Sequence, residues 1–168
     1  NFIDSLPISY LHVFPYSPRK LTAAALMGSG VVILDGFADL NALFHALDNW
    51  PVNALCLPPS AVRMILVLSG GKLGAYKDQI EFVESAASTL PEADKQKLIE
   101  LLPHSRLYNA YGTSEAGSSC MYDYNQERGL TACIGYPAVN ARFVILDEQG
   151  NEMADSSRDN PGLIAYTG

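Results

Sequence analysis

Ala54-Leu55-Cys56-Leu57-Pro58-Pro59-Ser60-Ala61-Val62-Arg63-Met64-Ile65-Leu66-Val67-Leu68 holds two elements back to back. Residues 54–57 are a short continuous apolar run, as a strand buried on both faces requires. Pro58-Pro59 stops it, because proline brings no backbone N–H to a sheet ladder. Ser60 then caps a helix that runs to about Leu68, ahead of Gly70-Gly71. Toward the N-terminus, Val31-Val32-Ile33-Leu34 is a second continuous run and predicts another strand buried on both faces. Asp39 follows it as the cap of a helix whose core stripe is Leu40, Leu43, Phe44, Leu47 and Trp50. Further back, Ser17-Pro18 opens a run of good helix formers to Met27, stopped by Gly28-Ser29-Gly30. Toward the C-terminus, Tyr76, Ile80 and Val83 read as one more helix face. Pro91-Glu92 opens a helix through Leu102, and Arg106 to Tyr111 is the next strand. Strands alternating with helices at this spacing predict an α/β fold: a largely parallel sheet flanked by helices.

The last third changes character. Phe143, Ile145 and their neighbours predict a strand ending in the turn-rich Asp147-Glu148-Gln149-Gly150-Asn151-Glu152, and Gly162 to Thr167 predicts a final strand. The start of a small β-rich subdomain is therefore expected over residues 126–168, after an α/β subdomain over 1–125. Apolar residues make up 48% of the 168 and charged residues 17%, the balance of a folded chain and not a disordered one. Eighteen acidic residues against eleven basic give a net charge of −7, with no basic run, which disfavours nucleic acid and anionic lipid as partners. Leu21 to Leu34 is interrupted by Gly28-Ser29-Gly30 and falls short of the ~18 apolar residues of a membrane span, so no membrane insertion is expected. Cys56, Cys120 and Cys133 show neither a C-x-x-C pair nor a disulfide rhythm, which favours a reducing, cytoplasmic setting. Asn1-Phe2-Ile3-Asp4 lacks the features of a signal peptide and reads like the interior of a longer chain.

The chemistry concentrates in Leu107-Tyr108-Asn109-Ala110-Tyr111-Gly112-Thr113-Ser114-Glu115-Ala116-Gly117, a strand running into a glycine turn. Ligands of open α/β sheets bind beyond the carboxyl ends of the strands. Tyr111 offers an aromatic face, Gly112 lets a ligand approach the backbone, Thr113 and Ser114 offer hydroxyls and Glu115 a hard oxygen ligand. Such parts suit an adenine nucleotide with Mg²⁺, a cation that takes one or two carboxylates plus substrate phosphates. Taken alone, Tyr111 would be an ordinary core tyrosine and Glu115 a solvated turn carboxylate. His12, His45 and His104 are scattered, without the spacing of metal ligands.

Asn109-Ala110-Tyr111-Gly112-Thr113-Ser114-Glu115 closely resembles the N-x-Y-G-x-T-E motif of the adenylate-forming, AMP-binding enzyme superfamily, which includes acyl-CoA synthetases. The resemblance extends, in order, over nearly the whole chain. Leu6-Pro7-Ile8-Ser9 and Met27 to Leu34 are similar to the superfamily's L-P-L-x-H and L-x-x-G-x-x-V-V-L segments. Glu84-Ser85-Ala86-Ala87-Ser88-Thr89-Leu90-Pro91 resembles its small-residue loop, Ile134-Gly135-Tyr136-Pro137 through Gly150 its G-x-P…V-x-I-x-D…G run, and Pro161 to Gly168 its G-E-L-x-x-x-G strand.

The resemblance implies the central part of the large N-terminal domain of an AMP-forming acid–thiol ligase. A small-molecule carboxylic acid attacks the α-phosphate of ATP, and the acyl group of the resulting acyl-adenylate passes to CoA or a carrier-protein thiol. Two like charges at 4 Å repel by ~4 kcal/mol at an effective dielectric of 20, so cations must offset the approach of a carboxylate to the polyphosphate. On this mapping Ser114 contacts the α-phosphate and Glu115 binds Mg²⁺, as the catalytic pair. Tyr111 stacks on adenine, Asn109 borders it with Gly112 and Thr113, and Ser85, Ala86 and Ala87 form the opposite wall. Tyr10 stands where many acyl-CoA ligases carry an acyl-site gate, with His12 two residues on. No Phe-Asp pair for an α-amine lies near Ser9-Tyr10-Leu11, which points to a non-amino acid substrate.

The superfamily's phosphate loop, its ribose-binding Asp and its C-terminal domain with a catalytic Lys have no counterpart here; the last lysine is Lys97. The chain is thus expected to act with the rest of a parent chain. Two other readings remain open at this point: a non-catalytic nucleotide-binding or scaffold module, and a serine hydrolase. Gly112-Thr113-Ser114-Glu115-Ala116 is one residue away from the G-x-S-x-G nucleophile elbow, although no histidine follows His104 to serve Ser114 as base. The 168-residue chain alone is expected to catalyse no ATP–pyrophosphate exchange; exchange by the purified chain with any carboxylate overturns that expectation.

Overall fold

In the computed structural model, which describes residues 5–9, 22, 26, 28, 30–34, 39–113, 117–139 and 141–167, the apolar runs become strands and the periodic segments helices. Strand β1 (Ser5–Ser9) pairs in parallel with β2 (Gly30–Leu34). Val31, Val32 and Leu34 are half-buried instead of buried on both faces, because β2 ends the strand order with β1 as its partner. Of the helix expected before it, Thr22 and Leu26 are helical, and the rest of Ser17–Met27 lies outside the described residues. Helix α1 (Leu40–Asn49) starts at Asp39, whose Oδ1 accepts from the backbone N–H groups of Asn41 and Ala42 at 2.9 and 3.2 Å. That satisfies two of the first-turn donors that have no helical acceptor. Leu43, Phe44 and Leu47 face the core, but Trp50 is 59% exposed. Trp50 is the extended residue that ends the helix, so the 3.6-residue stripe does not carry through to it.

Strand β3 (Ala54–Leu57) is buried at every residue. Helix α2 (Pro59–Leu68) follows with no side-chain cap. Pro58, not Ser60, occupies the cap position, and Pro59 is the first helical residue, where a missing N–H costs nothing. A 3₁₀ turn, Lys72–Tyr76, leads into β4 (Phe82–Ser85). The helix face expected from Tyr76, Ile80 and Val83 is therefore not formed. Tyr76 closes the 3₁₀ turn, Ile80 lies in the link, and Val83 is a strand residue whose neighbours are Leu55 of β3 and Leu107 across the sheet. Glu84 and Ser85, expected in a loop, are likewise the last residues of β4. Helix α3 (Glu92–Leu101) carries Glu92 and Asp94 in its first turn, where the helix dipole favours carboxylates. Strand β5 (Arg106–Thr113) extends two residues past the predicted Tyr111 and pairs antiparallel with β6 (Gly117–Asp123).

The main sheet has the order β3-β4-β5-β6-β7, with β7 at Tyr136–Pro137. Its first three strands are parallel, each crossover carrying a helix, and β1 lies alongside β3. The helices bury their stripes on the face that carries Leu55, Leu57, Val83, Leu107 and Tyr122, so one core serves α1, α2, α3 and the sheet. β7 reaches β6 because Gly135 has φ +107 and no side chain: a Cβ there would stand 2.4 Å from the Met121 carbonyl carbon. A second, antiparallel sheet follows, order β10-β8-β9, from β8 (Arg142–Leu146), β9 (Glu152–Met153) and β10 (Leu163–Thr167). Asp147 Oδ1 accepts from the N–H groups of Gln149 and Asn151 at 2.9 and 2.7 Å and so forms the turn between β8 and β9.

Asp123, at the end of β6, is buried and ties three segments together. It accepts from Arg106 Nε at 2.6 Å, from the Leu107 backbone N–H at 3.1 Å and from the Asn125 N–H at 3.1 Å. Arg106 is half-exposed, so solvent screens the ion pair, and the buried Leu107 amide is the larger stake. Asp123→Ala is expected to lower stability by about 2–3 kcal/mol, and Asp123→Asn, which keeps an acceptor for Leu107, by about half that, measured by urea unfolding.

Candidate functional site

The parallel strands β3, β4 and β5 bring Leu57, Ser85 and Asn109 into one row at their carboxyl ends, through the pairs Leu57↔Ser85 and Ser85↔Asn109. β4 stops in that row. β5 continues to Thr113 with β6 as its partner, through Tyr111↔Cys120, Gly112↔Ser118 and Thr113↔Gly117. The register shifts between Tyr111 and Gly112, where Ser119 is the additional residue on β6. Residues 110–113 thus project as a rim beyond the end of β4, with the turn after Ser85 beside them. The predicted residues Ser85, Ala86, Ala87, Asn109, Tyr111, Gly112 and Thr113 all come to this corner of the sheet. Ser114 and Glu115, the predicted catalytic pair, lie outside the described residues, as do Tyr10 and His12.

Each wall has its own physics. Ser85 is fully buried, and its Oγ has no hydrogen-bond partner among the described residues, a state that costs ~1–3 kcal/mol unless another polar group meets it. Ala86 is buried, whereas Ala87 is exposed with φ +80, a left-handed conformation worth roughly 1–2 kcal/mol of strain for an L-residue. Buried Ser85 and Ala86 on one side and fully buried Leu90 on the other hold Ala87 in that conformation. Opposite, Tyr111 is half-buried, Gly112 is exposed, and Thr113 Oγ1 lies 3.0 Å from the hydroxyl of Tyr166 in β10. The rim thus offers an open glycine backbone and a partly exposed phenol ring beside the buried Ser85 hydroxyl. Among the described residues no three His, Cys, Asp or Glu side chains converge on a metal position.

Behind the row stands a buried charge. Tyr122 pairs across the strands with Asn109, and Lys95 Nζ donates to Tyr122 Oη at 2.7 Å and to Glu92 Oε1 at 2.7 Å. Burial pulls the Lys95 pKa down, but the hydrogen bonds to Glu92 and Tyr122 outweigh it, and the net shift is upward. The ammonium therefore stays charged, 5.3 and 5.7 Å from the ring centres of Tyr122 and Tyr124. Lys95, Tyr122 and Tyr166 were not singled out in the sequence. The i,i+3 spacing of Glu92 and Lys95 was a signal for the first; nothing local to the motif points to Tyr166. A hydrolase elbow needs a helix after its turn, and here Gly117–Asp123 is a strand, which removes the Ser114 nucleophile reading.

Residues 7–168 match the family described as AMP-binding enzyme. The chain belongs to the AMP-binding enzyme family. It is similar to the D-alanine–D-alanyl carrier protein ligase of Bacillus velezensis, 25% identical over 167 residues, covering 94% of this chain and 32% of the ligase. Among solved structures, the O-succinylbenzoate coenzyme A synthetase of Bacillus subtilis, in complex with ATP and magnesium ion, matches with TM-score 0.78 at 16% identity, over 98% of this chain and 33% of that one. The N-terminal subdomain of NpsA from Klebsiella oxytoca matches with TM-score 0.75 at 18% identity, over 98% of this chain and 40% of that one. The structural likeness is one of fold, and it bears out the α/β class with a parallel-rich sheet flanked by helices. This AMP-binding family member spans about a third of the length of the first two. Among its described residues no helix is long and apolar enough to cross a membrane.

The strain at Ala87 has a measurable consequence. Ala87→Gly is expected to raise stability by about 1 kcal/mol, visible as a higher urea midpoint; a lower midpoint would show that the strain is smaller than the ~0.5–1 kcal/mol that glycine's unfolded-state freedom costs.

Proposed function

We propose that the protein containing this chain is an AMP-forming acid–thiol ligase: it activates a small carboxylic acid with ATP to an acyl-adenylate and pyrophosphate, then passes the acyl group to a thiol. The reading rests on one observation above all. The family match runs through residues 7–168, and the two segments that resemble the nucleotide motifs, 85–87 and 109–113, meet at one end of one sheet. In this reading Tyr111 stacks on adenine, Asn109 and Gly112 border it, and Ser85, Ala86 and Ala87 close the other side, with Ser85 Oγ meeting a polar atom of the ligand. Thr113 leads into Ser114, which contacts the α-phosphate, and Glu115 holds Mg²⁺, a cation that offsets phosphate charge as the carboxylate approaches. Residues 1–125 form the α/β subdomain and 126–168 the start of the β subdomain. The phosphate loop and C-terminal domain are supplied by the parent chain, and these residues are inactive by themselves.

The thiol belongs to CoA or to a carrier protein. The relative from Bacillus velezensis is named for a carrier-protein acceptor and the fold neighbour from Bacillus subtilis for coenzyme A, so both support a thiol without choosing between them. The acid is a small molecule, and the relative's name makes D-alanine a necessary member of any panel beside non-amino acids. The acidic balance of −7 supports a protein that works apart from nucleic acid, and three widely spaced cysteines without a disulfide rhythm suit a reducing cytoplasm.

The test is ATP–pyrophosphate exchange by the complete protein across a panel of amino and non-amino carboxylates. Glu115→Ala is expected to cut exchange about 10²-fold or more with folding nearly intact. Tyr111→Ala is expected to raise the KM for ATP roughly 5- to 150-fold, the equivalent of one base–aromatic stack. ATP binding without exchange for any acid would favour the non-catalytic module, and unchanged exchange in Glu115→Ala would remove that residue from the metal position.

A further inference from the structure

We propose that Tyr166 is a positioning residue for the nucleotide site: its hydroxyl, hydrogen-bonded to Thr113 Oγ1, fixes the projecting end of β5 from the second sheet. This rests on the functional reading above. Beyond Asn109 the strand has lost β4 as a neighbour, and between Tyr111 and Gly112 its register with β6 shifts. Residues 111–113 therefore lack the β4 neighbour that the start of β5 has, yet in this reading they carry the ring and backbone that face the base. The 3.0 Å contact from Thr113 Oγ1 to Tyr166 Oη spans 53 positions of sequence and joins that end to β10.

Tyr166 is itself held in place. It pairs across the strands with Phe143 of β8, and the two rings lie 5.5 Å apart with 31° between their planes. β8 is the central strand of its sheet, paired on both sides. The hydroxyl is thus presented from a pre-ordered platform, and little rotamer freedom is lost in making the bond. A phenylalanine at 166 would keep the ring contact and lose the bond alone, which makes the role separable from packing.

The experiment compares Tyr166→Phe, Thr113→Val and the double variant in the complete protein, reading KM for ATP and kcat in ATP–pyrophosphate exchange and amide hydrogen exchange of the peptide over residues 112–118. Tyr166→Phe is expected to raise the KM for ATP about 3- to 10-fold, with kcat changed much less and the thermal midpoint held. The double variant is expected to be no worse than Thr113→Val, the signature of one shared interaction. Amides of 112–118 should exchange faster while those of β3 do not. An unchanged KM, additive effects, or a thermal loss with no change at 112–118 would overturn the proposal. Wild-type protein with no exchange for any acid would defeat the functional reading instead; Tyr166→Phe would then still decide the latch through the amides of 112–118, faster exchange upholding it and unchanged exchange overturning it.

Discussion

Strand β4 stops at Ser85 because the chain must turn there to lay α3 back across the sheet, whereas β5 gains β6 as a partner and runs on to Thr113. This difference in length creates the rim. A parallel strand needs a long crossover to return, so its carboxyl end is always followed by a turn. An antiparallel neighbour follows through a short link, so β5 escapes that limit. Where the two regimes meet, backbone of β5 that would have paired with β4 is left facing a loop of small side chains. Ser85, Ala86 and Ala87 suit that loop because bulk there would fill the step between the strands.

Two devices hold the step open from behind. The first is the ammonium of Lys95, bonded to Glu92 and to Tyr122, which fastens the first turn of α3 to the strand next to Asn109. A buried charge of this kind is a weak source of net stability, since desolvation opposes the attraction. Its effect is geometric: α3 and β6 have one relative placement in which both hydrogen bonds form. The second is Asp123, which binds the start of β5 and the turn after β6 through Arg106, Leu107 and Asn125. One acts at the middle of β5 and the other at its beginning, so the strand is fixed up to Asn109 before any ligand meets it.

The alternation of elements was legible because burial on both faces demands continuous apolar residues, and Ala54–Leu57 is such a run. The Asp39 cap was legible for a local reason too, a side-chain oxygen within reach of two N–H groups. Val83 misled because an apolar residue at i, i+4 and i+7 from others satisfies a helix pattern even when the last member sits in a strand. Trp50 misled in the same way, its spacing right and its backbone already extended. The corner residues 85–87 and 109–113 were found through the family's motifs, and their meeting is a matter of sheet register that the motifs do not state. Tyr166 was out of reach, since a contact between strands 53 positions apart leaves no periodic trace.

Three irregular features of the main sheet meet at one corner. Ser85 keeps a buried hydroxyl without a partner among the described residues, Ala87 holds a positive φ without being glycine, and β5 slips register after Tyr111. Each is unfavourable by itself, and each has an obvious remedy in sequence: alanine at 85, glycine at 87, an unbroken ladder at 111. Elsewhere in the same sheet β3 is buried at every residue and pairs with β4 over its whole length. Local preference and global fold normally agree along a chain, and the places where they part are where something besides folding sets the residue. These three departures lie at the step between β4 and β5, within the two segments that resemble the family's nucleotide motifs.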